Sequence, residues 1–101
     1  MAWPQDAPLY NFNEFSVVLN AEPEFGVYAL FDAEKRLLFI DAGDVQLDLM
    51  RLAEGAHRAL RNIRPAYFSF VLEPCEDCIA VRDRLRSDVE PLLSDSDLAA
   101  D

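Results

Sequence analysis

Gly26-Val27-Tyr28-Ala29-Leu30-Phe31, then Asp32-Ala33-Glu34-Lys35-Arg36, then Leu37-Leu38-Phe39-Ile40-Asp41: the reading of this stretch decides the fold. Residues 27–31 and 37–40 are short runs of β-branched, aromatic and aliphatic residues on either side of a polar turn. That arrangement predicts a hairpin. Both runs are apolar on consecutive residues and do not alternate, the pattern of a sheet covered on both faces.

Working outward, Gly43-Asp44 opens a helix with Asp44 as its cap, and Val45, Leu49, Leu52 and Ala56 follow at helical spacing. Gly55 bends or breaks that helix, a further turn runs to about Leu60, and Pro65 lets no helix pass. Residues 66–72 form a third strand, rich in aromatics. A last helix spans about Glu76 to Val89, with Cys78, Val81, Leu85 and Val89 on its inner side, and Pro91 ends it. Glu76 and Asp77 suit the positive end of that helix. Upstream, residues 11–20 read as a helix capped by Asn11, with Glu14 closing a capping box and Tyr10 and Phe15 as a hydrophobic staple. Phe12, Phe15 and Leu19 fall on one face of it. The order helix, strand, strand, helix, strand, helix predicts an α/β (α+β) domain. Its sheet is small, three-stranded and mainly antiparallel, with helices on its faces.

The chain has 101 residues, enough for one domain, taken as residues 1–94 with a polar tail at 95–101. A 51% hydrophobic content argues against disorder. No apolar run approaches the roughly 20 residues of a membrane helix. The N-terminal residues have no basic flank or apolar stretch of the secretory type, so the expected location is the cytoplasm. Net charge is −10, which opposes nucleic acid at long range. The acids are unevenly placed. Between residues 51 and 72, Arg51, Arg58, Arg61 and Arg64 face Glu54 alone. With His57, the arginines Arg58, Arg61 and Arg64 are the candidate binding residues for phosphate or an acidic partner. A solvated helical face with paired arginines explains the same residues more simply.

The ordered set of motifs resembles the GIY-YIG nuclease family. Gly26-Val27-Tyr28 stands for the first signature and Phe39-Ile40-Asp41 for the second, with ten residues between Tyr28 and Phe39. Arg64-Pro65-Ala66-Tyr67-Phe68 resembles the proline and aromatic pair before the third strand of compact family members. The resemblance runs from Pro23 to Leu93. It implies a metal-dependent endonuclease fold, with a tyrosine near the nucleophilic water, a second tyrosine, a helix arginine on phosphate, and a glutamate binding Mg²⁺ or Mn²⁺.

Placed on this sequence, the resemblance keeps Tyr28 and loses most of the rest. Phe39 lacks the second hydroxyl. Asp41 replaces a glycine. Arg51 comes about one turn later than the family arginine, whose stretch is here Gly43 to Asp48. Arg82 falls on the metal-binding glutamate, and a cation cannot ligate Mg²⁺. Ser94 falls on the closing asparagine. Tyr28 and Arg51 are thus the catalytic candidates if activity survives, with Mg²⁺ or Mn²⁺ as cofactor. Otherwise no metal site and no cofactor is expected. An Arg82–Asp41 ion pair is a further expectation. Cys75 and Cys78 make a C-x-x-C at a helix start, but the chain has one histidine and no third cysteine for zinc. Two small residues on a helix face explain them as well. Three functions follow: a nuclease-like domain without chemistry that binds a protein or serves in assembly, an atypical active nuclease, or an acidic DNA mimic. The first fits the missing ligands and the acidic surface best.

Overall fold

The computed structural model of the chain describes residues 3–4, 6–55, 64–89 and 91. The elements are β1 (Tyr10–Asn11), α1 (Glu14–Asn20), β2 (Phe25–Phe31), β3 (Leu37–Asp44), α2 (Val45–Ala53), β4 (Tyr67–Leu72) and α3 (Cys75–Val89). They form a small α+β domain with a four-stranded sheet in the order β1-β4-β2-β3, and every pairing is antiparallel. The expected three strands are therefore four among the described residues. The added one is Tyr10–Asn11, which pairs with Phe68 and Tyr67. Two residues are too few for a periodicity to show, and the strand exists only because β4 offers it an edge.

That strand moves the first helix. Asn11 is held in β1, so Asn13 takes the cap and its side chain accepts from Ser16 N at 2.8 Å. The expected staple does not form. Tyr10 packs at a tilt on Phe68, ring centroids 5.3 Å apart, and stacks on Phe70 at 6.1 Å, while Phe15 is 75% exposed. Ser16 and Val17 are the residues α1 buries. Phe12 lies ahead of the helix and joins the core, and Leu19 faces outward with Phe15.

The sheet is covered on both faces, as the consecutive apolar runs require. One face carries Tyr28, Leu30, Phe39 and Phe68 against Val17 of α1 and Val45, Leu49 and Leu52 of α2. The other carries Val27, Ala29, Phe31 and Ile40 against Cys78 and Leu85 of α3, with Val81 and Val89 partly buried beside them. Trp3 closes this side, its Nε1 donating to Ser69 Oγ at 2.9 Å. Each fully buried Leu, Ile or Phe stabilises the fold by roughly 1.5–3 kcal/mol over the exposed state. The β2–β3 turn is organised by Asp32, whose carboxylate accepts from Glu34 N, Arg36 N and Arg36 Nε.

Strand β3 runs past Ile40 to Asp44, which caps α2 by accepting from Leu47 N at 3.0 Å. Gly26 and Gly43 are cross-strand partners at this end. A Cβ on Gly26 would run into the Val71 carbonyl. Gly43 has φ 153°, a region other residues rarely adopt, and a Cβ there would run into the Asp48 carboxylate. No helix among the described residues is long and apolar enough to cross a membrane. Ala56, His57, Arg58, Arg61, Ser94 and the 95–101 tail lie outside the described residues, as does the predicted turn to Leu60.

Candidate functional site

Tyr28 and Asp41 are cross-strand partners on β2 and β3, so their side chains share a sheet face. Asp44 fixes the start of α2, which brings Asp48 round to that face one turn later. The Tyr28 hydroxyl donates to Asp48 Oδ2 at 3.0 Å. Tyr28 is 3% exposed. Burial foremost, with the Asp41 and Asp48 charges and the bond to Asp48, drives its ionisation far above the ordinary phenol range. The phenol is thus a neutral hydrogen-bond donor at any physiological pH. Burial also raises the Asp48 carboxyl, and Asp41 and Asp44 add to this, while the Tyr28 bond and Arg51 pull the other way.

α3 packs on the opposite face, yet two of its arginines reach this cluster. They can because β3 is the sheet edge and Arg82 and Arg86, one turn apart, extend around it. Arg82 Nη1 lies 3.3 Å from Asp41 Oδ1, the ion pair expected from the sequence. Its Nη2 and Nε also bond Asp83 Oδ1, at 2.9 and 3.0 Å. Arg86 Nη2 is 3.5 Å from the same Asp41 oxygen, and its Nε donates to the Ile40 carbonyl at 2.8 Å. The Arg86 guanidinium also stands 5.8 Å from the Phe39 ring centroid. Asp41 Oδ1 accepts from Ala42 N as well.

Tyr28, Asp41 and Arg82 are thus gathered in one cluster. Phe39, 2% exposed, packs beneath it. Arg51 lies in the last turn of α2, exposed, and acts on Asp48 through its charge. Arg64 is exposed, with φ 58°, near the β2–β3 turn. Sequence reasoning does not single out Asp48 or Arg86. Asp48 carries a usable signal, because it falls three residues after Val45 on the apolar stripe of α2, where a charge needs a reason. Arg86 is one turn beyond Arg82, on the same helical face. Cys78 is buried against the sheet, consistent with a packing role.

Chemically, the cluster is a neutral phenol tied to one carboxylate and a second carboxylate held by two guanidinium groups. Among the described residues, no three His, Cys, Asp or Glu side chains converge as a metal-binding set. No protein-family model matches the chain. Searches of curated proteins and of solved structures likewise find no match.

Proposed function

We propose that this chain is a GIY-YIG-like domain that has lost endonuclease activity and acts as a binding or assembly module. The observation that carries the reading is the Arg82–Asp41 pair at 3.3 Å. In the resemblance, Arg82 takes the place of the glutamate that holds a divalent cation. A guanidinium has five N–H donors and no acceptor, so it offers a metal nothing. Here it is bound to carboxylates on two sides. Further features support the loss of chemistry. The Tyr28 proton is engaged by Asp48 and is too tightly held for the phenol to act as a base. Phe39 supplies no hydroxyl. Arg51 is exposed on the last turn of α2 and bears on the cluster as a charge acting on Asp48.

A plasmid-nicking assay with Mg²⁺ and with Mn²⁺ tests this. The expected result is no cleavage above a no-protein control in either metal. Cleavage that disappears in Tyr28→Phe would establish the atypical nuclease and overturn the proposal.

A further inference from the structure

A binding module needs something to bind, and the surface around α1 narrows what that is. This short helix buries Ser16 and Val17 and leaves Phe15, Val18 and Leu19 exposed at 75%, 57% and 65%. Those three positions are neighbours on one helical face. Exposed single hydrophobics are ordinary, but a clustered set on one helix is not. The apolar surface continues beyond the helix. Gln46 Nε2 donates to the Ala21 carbonyl at 3.1 Å, and Gln46 N donates to Glu22 O at 3.1 Å. These bonds tie the start of α2, which carries half-exposed Leu47, to the end of α1. The 21–24 loop then enters an open groove of about 520 Å³ lined by Pro23, Glu24, Phe25, Leu72, Glu73 and Pro74. The Glu73 N to Phe25 O bond, 3.2 Å, joins its two walls.

The charged side chains carried by α1, the 21–24 loop and the groove wall have one sign. Residues 1–34 contain Asp6, Glu14, Glu22, Glu24, Asp32 and Glu34 and no lysine or arginine. Glu14 lies at the head of α1, Glu22 and Glu24 in the loop, and Glu73 in the groove wall. An apolar strip with an acidic rim is complementary to a strip with a basic rim. A second copy of this chain would bring its own acids against these. An anionic lipid surface would be repelled in the same way.

We propose that the α1 face and the adjoining Pro23–Pro74 groove dock a basic amphipathic segment of a partner protein, its apolar side on Phe15, Val18 and Leu19 and its cations toward Glu14, Glu22, Glu24 and Glu73. This rests on the binding-module reading and deepens it. The occupant is recognised as an apolar-faced, lysine- or arginine-bearing helix or strand.

The probe is a synthetic leucine–lysine peptide with leucines at i, i+3, i+4 and i+7, set against its leucine–glutamate counterpart, with binding read by fluorescence anisotropy. The lysine peptide binds and the glutamate peptide does not. Phe15→Ser with Leu19→Ser, both at exposed positions, weakens binding by about tenfold or more. Neutralising acids away from this surface, Glu34→Gln with Asp88→Asn, changes it by less than about twofold. If both pairs of substitutions weaken binding equally, the peptide is reading net charge alone and the proposal is overturned. Chemical shifts of the unaltered protein give a second readout independent of any variant. Peptide addition moves the amides of residues 14–22, 24–25 and 72–73, whereas shifts centred on α3 refute the site. A homodimer in sedimentation velocity that Phe15→Ser with Leu19→Ser dissolves would assign the surface to a second copy instead. Binding to phosphatidylglycerol vesicles lost in the same variant would assign it to lipid. The nicking assay is separate: cleavage there sinks the loss of catalysis whatever the peptide does, and a failed peptide titration leaves the loss of catalysis untouched.

Discussion

Substituting Arg82→Met and Asp41→Asn, singly and together, isolates the contact at the centre of the cluster. The charges lie 3.3 Å apart, with side chains 20% and 27% exposed. At that distance two unit charges attract by about 5 kcal/mol at an effective dielectric of ~20 and by about 1.3 kcal/mol in bulk water. Most of this is offset. Both groups lost solvent on folding, Asp83 shares the Arg82 guanidinium at 2.9 Å, and Arg86 stays 3.5 Å from Asp41 when Arg82 is removed. Burial alone would lower the Arg82 pKa, but its bonds to Asp83 and Asp41 outweigh this and raise it. The expected coupling is about 1 kcal/mol, with Asp41→Asn the more costly single change because it strips a counter-ion from two arginines. Urea unfolding of the four proteins at fixed ionic strength measures it, since a domain of this size is expected to unfold in two states with a linear dependence on urea. The coupling falls only modestly with added salt, as partly buried pairs are weakly screened. Additive single effects, within about 0.3 kcal/mol, would overturn this, because the contact would then hold nothing together.

Three further outcomes rest on the same geometry. Asp48 titrates in the fold above its ordinary 3.8, so the stability it contributes is full below that value and is lost as pH rises through the folded value. Asp48→Asn keeps an acceptor for Tyr28 and removes the buried charge, so its melting temperature declines less than the parent's as pH is raised from about 4 to 7. Gly43→Ala forces a side chain onto φ 153° and into the Asp48 carboxylate, and costs about 2–4 kcal/mol in urea unfolding. Lys35 sits in the turn with φ 66°, so Lys35→Gly relieves strain and stabilises by roughly 0.5 kcal/mol after the greater freedom of the unfolded chain is allowed for.

What could be read from the sequence follows the range of the interactions involved. The β2–β3 hairpin, the Asp44 cap, the buried stripe of α2 and the inner face of α3 are local, set by residues within one or two turns, and the structure has each of them. The departures lie where distant residues decide. Strand β1 depends on Phe68 and Tyr67, more than fifty residues away, and its formation transfers the cap from Asn11 to Asn13. Phe12, which helical periodicity groups on one face with Phe15 and Leu19, then lies ahead of the helix and packs on the core, while Phe15 and Leu19 are exposed. The site is half legible. Tyr28, Asp41 and Arg82 stand out because a motif register compares positions, and that register brings a cation and an anion into correspondence. Asp48 and Arg86 do not, because their roles arise only when α2 swings under the sheet and α3 reaches around its edge.

On the proposed reading, a guanidinium stands where oxygen donors would have held a divalent ion. Paramagnetic broadening during Mn²⁺ titration of the isotope-labelled protein is the sharpest check of this. The expected result is weak, diffuse broadening over the acidic surface, with no saturable effect at the amides of Tyr28, Asp41, Asp48 and Arg82. Saturable broadening strongest at those four and falling off with distance from them, abolished by Asp41→Asn or Asp48→Asn, would show that the cluster still holds a metal and that catalysis was not lost in this way.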